Sequence, residues 1–113
     1  MKILDEPITV DELKKIAADT FGDLVKAVVD VRRGLIALDA ELHSDLEALL
    51  IEGGSRQHDL WGINFYPDLE GDDFIEYDSM INMRPSQGNV SRGVDDDAIR
   101  KEIIEILAKW VMR

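Results

Sequence analysis

The sequence contains no cysteine and only three prolines among its 113 residues. Without thiols, no disulfide framework, zinc–thiolate site or cysteine nucleophile can form. No apolar run approaches membrane-spanning length, and the N-terminal residues have no apolar signal core. Walker, dinucleotide-binding and nucleophile-elbow motifs are also lacking. These absences predict a cytoplasmic protein with no membrane contact and no cofactor.

Basic residues are scarce as well. The chain has 13 lysines and arginines against 24 acidic residues, a formal net charge of −11 and a pI near 4.4. Such a field repels polyanions, so we expect no nucleic-acid partner. The hydrophobic content of 45% is ordinary for a folded globular chain, and the length suits one domain over residues 1–113.

The periodicity of apolar residues predicts the order of elements. Alternating patterns indicate strands, 3.6-residue stripes indicate helices, and glycines or prolines separate them. The predicted elements are a short strand at 2–4, a helix at 10–20, a hairpin of 24–32 with 35–38, a helix from the cap Asp39 to Ile51, strands at 57–66 and 74–84, and a helix at 95–111.

This order, β-α-β-β-α-β-β-α, contains two hairpins, which favour antiparallel pairing. We therefore expect an α+β fold. Its form would be a two-layer sandwich in which three helices pack on one face of a mainly antiparallel sheet of four to five strands.

The stretch from Ser79 to Val94 contains no acidic residue, although about one residue in five of the whole chain is acidic. Its side chains include hydrogen-bond donors suited to an anion, namely Arg84, Arg92, Asn82, Ser86 and Asn89. A second acid-free segment, Gly53–His58, adds Ser55, Arg56 and His58. If 61–66 and 74–83 pair as a hairpin, the two loops lie side by side and predict an anion-binding site. The alternative is that both are ordinary polar loops whose arginines pair with acids elsewhere.

Metal binding is the less favoured interpretation of two other clusters. His43 and Glu47 lie four residues apart on the second predicted helix, but one helix cannot supply a full ligand set. Asp95–Asp97 is typical of a helix start. We therefore expect no metal site, and we interpret His43 as a histidine at the edge of the core.

Gly62 is a small residue in a strand of bulky ones, which indicates either a close approach of a partner or ligand, or a bulge.

Three functions are compatible with these features. The first is a small binding domain that holds an anionic ligand, or an acidic group of a partner, between loops 53–58 and 84–93. The second is an interaction protein without a ligand site, such as a homodimer formed through the polar sheet face around Lys26, Asp30, Asn64 and Asn82. The third, and least favoured, is a phosphoester or ester hydrolase that uses His58 or His43.

Three segments resemble a family of small prokaryotic proteins grouped only as a domain of unknown function. They are AELHSDLEALL (40–50), DLWGINFYP (59–67) and INMRPSQGNVSR (81–92). The resemblance covers nearly the whole chain and implies a stand-alone cytoplasmic protein. It implies no activity and no catalytic residues.

Overall fold

The computed structural model describes every residue, 1–113. The strands are β1 Lys2–Ile3, β2 Ile8–Thr9, β3 Val25–Asp30, β4 Leu35–Leu38, β5 Leu60–Phe65, β6 Ile75–Glu76 and β7 Val111–Met112. The helices are α1 Val10–Asp19, α2 His43–Glu52 and α3 Asp97–Trp110. None of the three helices is both long and apolar enough to cross a bilayer.

Five strands form one antiparallel sheet in the order β1-β4-β3-β5-β6. Its centre is the pairing of β3 with β5, which extends from Val25 opposite Phe65 to Asp30 opposite Leu60. The short strands β2 and β7 pair in parallel and join the start of α1 to the end of α3. The antiparallel sheet and the three helices confirm the α+β class.

The layering differs from the expected single helical face. Val25, Ala27 and Val29 of β3 pack in a core with residues of α1 and α3. Val28, on the other face, packs against Leu46 and Leu50 of α2. A strand that is apolar on both faces needs a cover on each side. Helix α2 therefore covers part of the second face.

Helix α1 begins at a capping box formed by Thr9 and Glu12. Helix α2, by contrast, begins at His43 rather than just after Asp39. Asp39 has φ = 74°, a left-handed conformation that interrupts a helix, and Leu42 occupies the N-cap position without any side-chain hydrogen bond. Leucine is a poor N-cap, because it offers no acceptor to the first N–H groups.

The predicted strand 74–84 is wrong beyond Glu76, because the chain leaves the sheet there. At Gly62 of β5, a side chain replaces the missing strand. The Gly62 N–H donates to Asn82 Oδ1 at 2.8 Å, and Asn82 Nδ2 donates to the Gly62 carbonyl at 3.0 Å. One buried amide thus satisfies the backbone groups that a neighbouring strand would have paired.

The approach of this segment requires glycine at position 62. A Cβ atom there would lie 2.5 Å from Ser79 Cβ and 3.2 Å from His43 Cδ2. Gly62 therefore marks a close approach, but the neighbour is the protein's own 79–82 segment and not a partner or ligand.

Candidate functional site

The two acid-free loops do lie together, although β6, which replaces the second strand of the predicted hairpin, is only two residues long. Arg84 Nη1 donates to the Gln57 carbonyl at 2.5 Å, and Arg84 Nη2 donates to the Leu60 carbonyl at 2.8 Å. Gln87 Nε2 donates to the His58 carbonyl at 2.7 Å. We call this contact between 53–58 and 84–93 the loop junction.

Both terminal nitrogens of Arg84 are engaged with the protein at this junction, whereas its Nε has no hydrogen-bond partner. Its guanidinium lies over the Trp61 ring, 4.1 Å from the ring centroid, and its Nε is buried. Burial lowers the pKa of Arg84, and the nearby carboxylates of Glu47 and Asp59 oppose that shift. Trp61 Nε1 and Glu47 Oε2 are likewise buried without a hydrogen-bond partner, out of reach of a ligand arriving from solvent. Arg84 therefore binds the start of β5.

The other residues predicted for this site divide into buried and exposed ones. Ser55 is buried and donates to Asp30 Oδ2 at 2.6 Å. Asn89 is buried too, and its Nδ2 donates to the carbonyls of Asn82 and Gly93 at 2.7 and 2.8 Å. The buried amide of Asn82 holds Gly62, as described above. The exposed members are Arg56, His58 and Ser86.

A different set of residues forms a small cleft of about 140 Å³ where the start of α2 meets the segment after β6. Its lining consists of Lys26, Leu42, His43, Ser44, Ser79, Met80, Ile81 and Arg92. No carboxylate lines it. Of the residues predicted for the anion site, only Arg92 is part of this cationic cleft.

The two basic residues of the cationic cleft differ in their partners. Lys26 makes no ion pair within 4 Å, and its Nζ lies 5.4 Å from the centroid of the Phe21 ring. Arg92 uses Nε to donate to Asp78 Oδ1 at 2.5 Å. Its side chain is 52% exposed, and its two terminal nitrogens donate to no protein group. Both cations therefore retain free donors.

The first turn of α2 adds backbone donors to the same place. The Asp45 N–H donates to the Leu42 carbonyl at 3.2 Å, but because Leu42 supplies no side-chain cap, the N–H groups of His43 and Ser44 have no capping acceptor. These N–H groups carry the positive end of the helix dipole. Asp45, also in the first turn, opposes that field.

His43 forms part of the wall of the cleft. Its side chain is buried, and Nε2 donates to the Ile63 carbonyl at 2.8 Å, since a carbonyl can only accept. Burial lowers the pKa of His43; the hydrogen bond to Ile63 opposes the shift, and the charge of Lys26 adds to it. The ring is therefore neutral at neutral pH, with its proton on Nε2.

Three larger grooves differ from the cationic cleft in charge. The grooves of about 490, 240 and 770 Å³ each include at least one carboxylate in their lining. In the largest, the Arg100 guanidinium lies over the Tyr77 ring at 4.5 Å, and Asp72 lies on the wall. The cationic cleft is thus the one with positive charge and no acid among these four.

The polar sheet face expected to mediate dimerisation is not a free surface. Asp30 and Asn82 have no exposed area, and Asn64 is 5% exposed. These three residues offer no surface to a partner, because α2 and the 79–82 segment cover them. No group of three or more histidine, aspartate or glutamate side chains is arranged to hold a metal ion.

The sequence contained two signals for the cationic cleft that were not combined. Gly62 indicated that something approaches β5 closely, and Lys26 lay on the same sheet face. The predicted strand 74–84 places residues 79–82 in the sheet, whereas they fold over this face. Ser44 and Ser79 carried no distinguishing pattern.

These features define an α+β domain with one small acid-free cleft beside a sheet covered on both faces. Comparison with known families places it more closely: residues 2–110 match the family described as "Protein of unknown function (DUF5674)". The chain belongs to this family, as the resemblance of its three segments implied. No curated protein and no solved structure matched the chain.

Proposed function

We propose that this protein is a small binding domain that holds an anionic ligand, or an acidic group of a partner, in the cationic cleft. The observation that carries the proposal is the lining of that cleft. In a chain of net charge −11, it brings together Lys26 and Arg92 and includes no carboxylate.

The overall negative charge does not prevent such a site. Charges exposed to water are screened over roughly 8–10 Å at ordinary salt, so a bound anion responds mainly to the nearest groups. The nearest groups are the free donors of Arg92 and Lys26 and the uncapped start of α2. Guanidinium and helix N–H groups both suit carboxylate and phosphate oxygens.

The proposal moves the anion away from the loop junction. The donors of Arg84 are directed at backbone carbonyls and its plane rests on Trp61, so an anion there would have to displace internal contacts. At Arg92 the anion would compete only with one exposed carboxylate, Asp78.

The test is a titration of the ¹⁵N-labelled protein with acetate and, separately, inorganic phosphate, followed by amide chemical shifts. We expect saturable shifts at Ser44, Ser79 and Arg92 in the wild type, and their loss in Arg92→Gln. Salt should weaken the binding, since the attraction is electrostatic.

Arg56→Gln is the matched control, because it makes the same change in net charge at an exposed arginine outside the cleft. It should retain the shifts. If Arg56→Gln removes them and Arg92→Gln does not, the anion binds at the loop junction. If neither anion produces saturable shifts in the wild type, the proposal is wrong.

The hydrolase alternative has little geometric support. The His43 Nε2 is committed to a backbone carbonyl, and the exposed His58 lies 3.3 Å from Asp59. No hydrogen bond joins either histidine to a serine. A cytoplasmic location and a prokaryotic source also belong to the proposal, and they come from the sequence alone.

A further inference from the structure

The size of the cationic cleft limits what it can hold. Its volume is about 140 Å³. Sites that enclose a whole small-molecule ligand or cofactor are usually about 300–1,000 Å³. The cleft therefore fits one anionic group of side-chain size and not a nucleotide.

The surroundings of the cleft are apolar and exposed. Leu42 is 56% exposed and Met80 is 65% exposed, and both line the cleft. Phe21, 44% exposed, lies beside the Lys26 ammonium group. Single exposed apolar residues are common on protein surfaces. Three around one positively charged cleft form an apolar rim, which is a frequent feature of protein-binding surfaces.

Charge and size together select the occupant. The rim favours apolar side chains on either side of the anionic group, whereas the cleft accepts only that group. A second copy of this chain is disfavoured, because two molecules of net charge −11 repel each other. Methionine adapts its shape to a partner, which suits Met80 to a docking surface.

We infer that the cleft binds an acidic side chain of a protein partner, flanked by apolar residues that rest on Leu42, Met80 and Phe21. This inference rests on the proposed function and specifies its ligand class. A glutamate carboxylate would accept from Arg92 and Lys26, and its neighbours would cover the rim.

The test compares affinities for N-acetyl-Leu-Glu-Leu-amide, the matching Leu-Gln-Leu peptide and acetate, measured by the same amide shifts. We expect the glutamate peptide to bind at least about tenfold more tightly than acetate, since its leucines bury apolar surface. The glutamine peptide should bind at least about tenfold more weakly than the glutamate peptide.

The apolar rim is tested by the double variant Leu42→Ala with Met80→Ala. Alanine is used at position 42 because serine would cap α2 and compete with the anion. In this variant the advantage of the peptide over acetate should disappear. Ile104→Ala, at an apolar residue 52% exposed on α3, is the control and should keep the advantage.

The outcomes separate the two proposals. If acetate binds through Arg92 but the glutamate peptide binds no tighter, the inference is overturned and the anion site stands. Equal binding of the glutamine peptide also overturns it, as does tighter binding of octanoate than of the peptide, which would indicate a lipid ligand. If no anion binds, both proposals are wrong.

Discussion

Arg84 and Arg92 lie eight positions apart in the same acid-free stretch, yet they do different things. Arg84 is half-buried, binds two backbone carbonyls and stacks on Trp61. Arg92 is exposed, binds one carboxylate through Nε and keeps its terminal nitrogens free. A guanidinium near the end of a strand can donate hydrogen bonds to backbone carbonyls as readily as to a ligand.

The difference follows from where the unsatisfied acceptors are. The Leu60 carbonyl lies at the start of β5, beyond the short strand β6, and Arg84 supplies its donor; Arg84 also donates to the Gln57 carbonyl, which accepts from the Leu60 N–H as well. Beside Arg92, by contrast, the backbone acceptor has a donor from another side chain. Asn82 Nδ2 donates to the Arg92 carbonyl at 2.9 Å. The Arg92 side chain is therefore left free to reach the cleft.

Among the substitutions that test this comparison, Asn82→Ala is expected to have the largest effect on stability. The change leaves the N–H and carbonyl of Gly62 buried without partners and also removes the bond to Arg92. Each unsatisfied buried group costs about 1–3 kcal/mol, so we expect the free energy of unfolding to fall by about 2–4 kcal/mol. Denaturant unfolding measures this value.

Asn64→Ala is the comparison for Asn82→Ala, because Asn64 is also a buried asparagine of the same sheet face but its amide binds Glu76 at the half-buried edge. Asn64→Ala should lower the free energy of unfolding by less than Asn82→Ala does. A loss for Asn82→Ala of no more than that for Asn64→Ala would contradict the role assigned to the Asn82 amide.

Arg84→Ala comes next in size. The variant loses two charge-assisted hydrogen bonds to carbonyls and the contact with Trp61, so we expect a loss of about 1–3 kcal/mol in the free energy of unfolding. Arg84→Lys should recover little, because an ammonium cannot span both carbonyls and stack on the ring. Anion binding at the cleft should persist in both variants under native conditions.

Much of the fold could be predicted from the sequence, because the relevant signals are local. The capping box at Thr9 and Glu12, the apolar stripes of the helices and the alternation in β3 and β5 each follow from neighbouring residues. The left-handed backbone of Asp39 and the departure of residues 77–84 from the sheet were missed. The second depends on Asn82 replacing a strand across a gap of twenty residues, which periodicity does not encode.

The candidate site was only partly predictable for the same reason. The expected pairing of 61–66 with 74–83, of which the structure forms only the first part, placed 53–58 beside 84–93, but composition does not say which arginine the backbone will use. Lys26 and Ser44 belong to distant segments, and only the fold of residues 79–82 over β5 brings them near Arg92.

His43 links the cleft to pH. Burial lowers its pKa in the folded state, so the unfolded chain binds the proton more readily below the ordinary value of about 6.5. The contribution of neutral His43 to the free energy of unfolding is therefore fully present above about pH 6.5, and it is lost as the pH falls toward the lowered pKa of the folded state. In His43→Gln, the free energy of unfolding should depend less on pH between about pH 7 and 5 than it does in the wild type. The same change at the exposed His58 is the control and should keep the wild-type slope.

The smallest effect on stability is expected for Arg92→Gln, and it gives the sharpest contrast with Arg84. The variant breaks one exposed ion pair with Asp78, and such pairs contribute about 0–1 kcal/mol. Unfolding should therefore change little, while the amide shifts caused by acetate and phosphate should be lost. Arg84→Ala should show the reverse, with lowered stability and retained shifts. If Arg92→Gln is as destabilising as Arg84→Ala, both arginines are structural. The proposal that the cleft binds an anion then loses its main support.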